Sequence, residues 1–219
     1  MTATPLRIDI VSDVVCPWCI VGYRQLAQAA KATGIAVDVH WHPFELNPNM
    51  PAEGQNLTEH IMEKYGSSAE ESKANRDRLM AIGQELDFTF AFDDSTRMHN
   101  TFNTHQLLHW ATALGRGDDL KQAFFAAHFT EGRDLSDDTV LVDIAAEAGF
   151  DREEATALLA DQRFADAVRN EEQFWVQQGI SGVPAMVFQQ KHLVTGAQGV
   201  ENYTSILMQL SDMAKTAAE

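Results

Sequence analysis

Strand-like alternation occurs only near the two ends of this 219-residue chain, and that placement limits its fold more than any other feature. Residues 6–11 (LRIDIV) alternate apolar and polar, with Leu6, Ile8 and Ile10 on one side. Residues 35–44 (IAVDVHWHPF) alternate again, Ile35, Val37, Val39 and Trp41 opposing Ala36, Asp38, His40 and His42. Between them "CIVGYRQLAQAAKATG" has helical composition and a stop at Gly34. This is a βαβ unit, whose crossover is right-handed. From about 57 to 158 the pattern is helical: a segment ending at Gly66, one over 68–86, and one starting from a Ser95 or Thr96 cap and ending at Gly115. Further helices follow over 120–132, after Ser136 as a cap, and after Asp151 as a cap, with a last one over about 161–178. The tail, "PAMVFQQKHLVTG", reads as two strands joined by a polar turn at Gln189–Lys191, then a helix with Ile206, Leu207 and Leu210 as its apolar stripe. The expected architecture is one α/β sheet domain, residues 1–50 and 160–219, interrupted by a helical insertion at 51–159.

Cys16 and Cys19, the two cysteines of the chain, fall where the first strand hands over to the first helix. Pro17 suits the first helical position, where its missing N–H would be unpaired anyway. Cys16 then lies at the helix mouth, where free N–H groups and the positive end of the macrodipole favour a thiolate. Cys19 lies one turn in on the same face, placed to attack a mixed disulfide formed at Cys16. Three other readings compete. A structural disulfide would close too short a loop to remove much chain entropy. A zinc site needs two further ligands, for which histidines 40, 42, 99, 105, 109 and 128 are available, but Pro17 removes an N–H such knuckles use. Two inert buried thiols are the third. The redox reading leads.

Net charge is −16, from 32 acids against 16 bases, so a nucleic-acid backbone or an anionic membrane would be repelled and neither is expected as a partner. No apolar run reaches membrane-spanning length, and the N-terminal "MTATPLRIDIVSD" has no leader pattern, so a cytoplasmic location is expected.

Four stretches in this order, "CPWC", "HPFELNP", "NTFNTHQLLHWA" and "SGVPAMVF", resemble the DsbA family of thioredoxin-fold disulfide oxidoreductases, and most closely its FrnE-like branch. The resemblance spans essentially the whole chain and implies a thioredoxin fold with an α-helical insertion domain. It implies Cys16 as nucleophile, Cys19 as resolving thiol, Pro17 and Trp18 as the active-site motif, and a cis Pro184. With Val183, that proline would offer a backbone edge to a substrate chain, Gly182 relieving crowding before it. Trp18 stands where the periplasmic oxidants carry a histidine, and a tryptophan supplies no charge, so a less oxidising couple is expected. Thiol or disulfide substrates, either protein cysteines or glutathione, are implied, with no bound cofactor. Asn100, Thr101 and His105 are placed by the resemblance in the segment over the cysteines, as candidates to line the groove.

Glu45 is a candidate proton acceptor for Cys19. His40 with His42, and His105 with His109, are candidate metal pairs by spacing, against the plainer reading of groove or surface histidines. Met80, Phe88, Phe124 and Phe125 read as core. Two other functions fit this frame. A glutathione-dependent isomerase or transferase of the kappa class carries Ser in place of the first cysteine; a peptide-binding chaperone would use the groove without turnover.

Overall fold

Leu6–Ser12 (β1) is buried along almost its whole length, as a central strand covered on both faces must be. In the computed structural model, which describes residues 4–216, Val37–Pro43 (β2) pairs with it in parallel, from Leu6 opposite Val37 to Ser12 opposite Pro43. Ala185–Phe188 (β5) lies antiparallel on its other side, and His192–Thr195 (β6) closes the edge, giving the order β2-β1-β5-β6. Gln189 and Gln190, both at positive φ, turn β5 into β6, as the polar turn suggests. Pro17–Thr33 (α1) runs from the N-cap Cys16 to Gly34, which takes the left-handed conformation at φ 68°. Val200–Thr216 (α9) packs against α1, burying Tyr203, Leu207 and Leu210 at helical spacing, with Ile206 half-buried.

Between β2 and β5 stand the helices of the insertion. Leu57–Tyr65 (α2) is capped by the Asn56 side chain and stops at Gly66. Ala69–Glu85 (α3) starts with a capping box between Ser68 and Glu71. Phe102–Ala113 (α4), Gly117–Phe129 (α5), Asp138–Glu147 (α6), Arg152–Asp161 (α7) and Ala165–Gln177 (α8) follow. Three expected boundaries move. No helix starts at Ser95 or Thr96; both instead bond to the Asp93 carboxylate in a turn. Beyond that turn Arg97–Met98 (β4) pairs antiparallel with Gln55–Asn56 (β3). The α6 cap is Asp137, which accepts from the Thr139 N–H, while Ser136 bonds to Asp134 and Ala52. The last helix begins at 165, because Gln162 ends α7 at φ 53°. Asp151 caps α7 as expected, accepting from Glu154 N–H.

The alternation of β1 divides its neighbours. Leu6, Ile8 and Ile10 join Ile20, Leu26, Phe188 and Tyr203 in one cluster, while Val11 meets Ile180 and Ala185 on the α8 side. Leu79, Phe88, Phe90, Phe125 and Phe129 of the insertion belong to the same cluster as the sheet residues. The Trp41 ring from β2 meets Phe125 edge-on at 6.1 Å. Sheet and insertion therefore share this cluster, while Leu107, Leu120, Phe124, Leu141 and Leu158 build a second one within the insertion. Phe125→Ala is expected to cost about 3–5 kcal/mol and to lower a single cooperative melting transition. Two transitions, only one of them shifted, would contradict a shared core.

Candidate active site

The turn Asp13–Cys16 sets the chemistry, since it carries the chain from the buried end of β1 into the first turn of α1. Cys16 N–H donates to the Asp13 carbonyl at 3.2 Å, and Cys19 N–H to the Cys16 carbonyl at 3.0 Å. Both thiols are free and buried. Cys16, 4% exposed, lines a cleft of about 370 Å³, whereas Cys19 is fully enclosed behind it. Cys16 is thus more enclosed than its position at a helix mouth suggests, because Trp18, Val183 and the insertion close over it. Burial, then the hydrogen bond with Cys16, pushes the Cys19 thiol well above its ordinary value; the Lys121 cation and a backbone hydrogen bond from Asp13 pull the other way.

The Val183–Pro184 bond is cis, and the Cys16 thiol donates to the Val183 carbonyl at 3.7 Å. Gly182 relieves no crowding, for a Cβ there would meet open space. Crowding lies at Gly22 in α1, where a Cβ would come within 3.2 Å of Met186 Cε and 3.5 Å of Pro184 Cγ. That glycine lets the helix carrying the cysteines press against the Pro184 segment.

The cleft wall opposite Cys16 comes from α2 and α3, with Ile61, Lys64, Arg76 and Leu79 prominent. Lys64 Nζ donates to the Leu46 carbonyl at 2.7 Å and to Asn47 Oδ1 at 2.6 Å. Arg76 is buried and donates to Thr58 Oγ1 at 2.7 Å and Ser72 Oγ at 3.2 Å; Asp94, 3.9 Å away, is the carboxylate that pairs with it. The Arg78 guanidinium lies 5.8 Å from the Trp18 ring centre. Asn100, Thr101 and His105 do not line this cleft. Asn100 Oδ1 instead accepts from the Phe102 N–H at the start of α4, Thr101 is buried, and His105 points behind the cysteines to the Phe44 carbonyl at 3.1 Å.

The groups behind the cysteines were the part that sequence reasoning missed. Asp13 is fully buried, and its Oδ2 accepts from the Leu46 N–H at 2.7 Å while Oδ1 lies 3.6 Å from His105 Nε2. Burial alone would raise this carboxyl, but His105, the Leu46 N–H and Lys121 together hold it below its ordinary value. Lys121, a lone cation in the apolar run "LKQAFF", is buried in α5 between the Trp41 and Phe125 rings. Asp118 accepts from Trp41 Nε1 at 2.8 Å and from the Tyr23 hydroxyl at 2.9 Å.

The remaining candidates turn elsewhere. Glu45 is buried in an ion pair with Arg169 of α8. His42 sits between Asp9 at 2.9 Å and Glu171 at 2.6 Å, His40 pairs with Asp38, and His109 approaches Glu171 at 3.6 Å. Among the described residues no group of three or more His, Cys, Asp or Glu side chains could hold a metal ion.

Two outcomes follow from this geometry. A limiting amount of iodoacetamide at neutral pH should alkylate Cys16, with Cys19 reacting at least about tenfold more slowly in the folded protein, read by peptide mass. Asp13→Asn should cost about 1–3 kcal/mol at neutral pH, as weakening the hydrogen bonds of a buried polar group does. Because the folded carboxyl titrates below its unfolded value, its contribution is present above about pH 4 and fades on acidification through the folded value. Wild type and variant should therefore converge in acid, and a gap that persists unchanged there would contradict the pairing.

The chain matches the model of the DSBA-like thioredoxin domain over residues 7–208. It is similar to a probable DsbA oxidoreductase from Streptomyces coelicolor, at 36% identity and TM-score 0.87, over 93% of this chain and 89% of that one. The fold is also that of the cytosolic disulfide reductase DsbM from Pseudomonas aeruginosa, solved with GSH, at 18% identity and TM-score 0.65, over 94% of this chain and 100% of that one. A sequence relative is the uncharacterized protein YwbO of Bacillus subtilis, 24% identical over 195 residues, 89% of this chain and 92% of the relative. A dithiol where a strand meets a helix, faced by a cis-proline and covered by a helical insertion, agrees with that match, and the chain belongs to the DSBA-like thioredoxin domain family.

Proposed function

We propose that this chain is a thiol–disulfide oxidoreductase working through Cys16 and Cys19. One observation carries the reading: two free sulfurs one helical turn apart, one lining a cleft beside the Val183 carbonyl and the other enclosed behind it. The Cys16 thiolate attacks a substrate disulfide, one substrate sulfur leaves as thiolate, and a mixed disulfide remains on Cys16. Cys19 then attacks Cys16 Sγ, the Cys16–Cys19 bond forms, and the second substrate sulfur departs with its electron pair. The reverse sequence oxidises a substrate dithiol. Pro17 and Trp18 form the wall beside the nucleophile, and the Val183–Pro184 backbone is the edge along which a peptide substrate would lie.

Lys64 and Arg76 give this acidic protein a cationic cleft wall, which suits a thiol bearing carboxylates, glutathione among them, as well as protein cysteines. The GSH in the structure of DsbM supports the same choice. The mechanism asks for no cofactor. A cytosolic setting, that of DsbM, is part of this reading; no helix among the described residues is long and apolar enough to cross a membrane. The same cationic cleft also favours, as a second reading, a glutathione-dependent isomerase or transferase.

Cys16→Ser should abolish disulfide exchange, at a cost of at least about 10³-fold in kcat/KM, and Cys19→Ser should accumulate mixed disulfides visible by mass spectrometry. Turnover retained in Cys16→Ser would refute the assignment. Isomerase turnover that survives Cys19→Ser would move the function to the second reading.

A further inference from the structure

Arg76 lines the cleft of Cys16 and is only 8% exposed, yet neutral groups hold its guanidinium. Nη1 donates to Thr58 Oγ1 at 2.7 Å and to Ser72 Oγ at 3.2 Å. Among the described residues its carboxylate partner is Asp94, 3.9 Å from Nη2 and beyond hydrogen-bond length. The Asp94 side chain is wholly exposed, so water screens the pairing further. A buried charge is costly unless it is closely paired and hydrogen-bonded, and this pairing is incomplete. Other polar side chains of the lining are committed elsewhere. Glu71 Oε2 accepts from the Ser68 N–H at 2.8 Å, and His60 Nδ1 pairs with Gln55 Oε1 at 2.7 Å. Lys64 is exposed and holds the Leu46 carbonyl and Asn47 Oδ1, while the buried His128 ring packs on Phe129.

Much of the remaining lining is apolar. Leu57, Ile61, Leu79, Phe92, Met98 and Phe129 border a space of about 370 Å³, a volume that suits a small molecule. Cys16 is 4% exposed at its wall, so a reacting sulfur must enter the cleft to meet it. A small disulfide can enter with its whole body, and its apolar part then displaces water from those side chains. Within the class of carboxylate-bearing thiols, such walls favour an aromatic or aliphatic body over the amide backbone of glutathione, whose polar groups they leave unpaired.

We propose that the substrate is a small disulfide with an apolar body, and that Arg76 selects it by taking its carboxylate. This selectivity rests on the exchange reaction assigned above and narrows its substrate. The carboxylate completes the pairing of the guanidinium in a site shielded from water, where a charge-assisted, two-pronged contact is strong. In the exchange the Cys16 and Cys19 thiols become one disulfide. The substrate S–S bond becomes two thiols, which carry off the two protons, and the carboxylate and Arg76 keep their charges throughout.

The test gives the reduced full chain three disulfides: dithiobisnitrobenzoate, which is aromatic and carries carboxylates, dithiobisnitropyridine, its uncharged counterpart, and glutathione disulfide. Each rate is divided by that of a free small thiol with the same compound, which removes intrinsic reactivity. In wild type the aromatic acid should lead glutathione disulfide. Arg76→Met should lower the ratio of acid to uncharged rates by about 10- to 100-fold, as losing a hydrogen bond to a charged group does. Arg76→Lys, which keeps the charge and loses the fork, should lower it less. A merely structural role for Arg76 would slow all three compounds alike. An unchanged ratio in Arg76→Met, or glutathione disulfide leading in wild type, overturns the proposal. Should Arg76→Met not fold, Arg76→Lys decides together with protection of the wild type. Naphthoate should slow alkylation of Cys16 by iodoacetamide more than naphthamide does, and equal protection overturns the proposal. Failure of the exchange reading would appear separately, as reduction of these disulfides that survives Cys16→Ser.

Discussion

The buried carboxylate of Asp13 is the contact on which the site depends. It takes the Leu46 N–H from the segment after β2 and faces His105 from α4, while its own backbone carbonyl receives the Cys16 N–H. Sheet, the turn into α1 and insertion are thereby fixed to one another at a point three residues before Cys16. A buried ionised group is costly unless it is paired and hydrogen-bonded, so a chain that keeps one here gains a defined geometry rather than much net stability. The turn entering α1 consequently has one arrangement, and the two sulfurs are held one turn apart at different depths.

Charge is distributed around that turn in a way the net value of −16 conceals. Lys64, Arg76 and Arg78 are carried by α2 and α3 on the side of the cleft that Cys16 lines, while Lys121 from α5 lines another one. All four cations come from the insertion and none from the sheet domain that carries the cysteines. Arg76 and Lys121 are buried, and inside a low-dielectric interior each acts more strongly than a surface charge such as Lys64 or Arg78. The acidic excess makes the surface as a whole repulsive to polyanions.

Much of the fold was legible because it is local. The alternation of β1 and β2, Pro17 at the first helical position, and the stops at Gly34 and Gly66 are each written in a few consecutive residues, and each appears where read. The cysteine pair shares that property, and Pro184 became legible through resemblance. Contacts that depend on distant segments were not readable. Ser95 and Thr96 look like caps, yet Asp93 captures both and the chain enters a short ribbon with Gln55–Asn56 instead. Glu45 looked available to Cys19, but a cation more than a hundred positions later, Arg169, claims it. His105 was placed in the groove because its helix passes over the cysteines, while its ring faces the opposite side of them.

Lys121 shows why such residues escape a reading along the chain. A lysine within an apolar helical run ordinarily reaches out to solvent along its own stem, and nothing local distinguishes this one. Its direction is set by Trp41 and Phe125, which offer ring faces where the stem would otherwise turn outward, and those rings belong to different layers of the fold. The shared core thus does more than join two domains. By closing over Cys19 it raises the energy of a thiolate there, and by enclosing the Lys121 amine it lowers that amine's hold on its own proton. Both shifts have one cause, exclusion of water, and they act in opposite directions on an acid and a base.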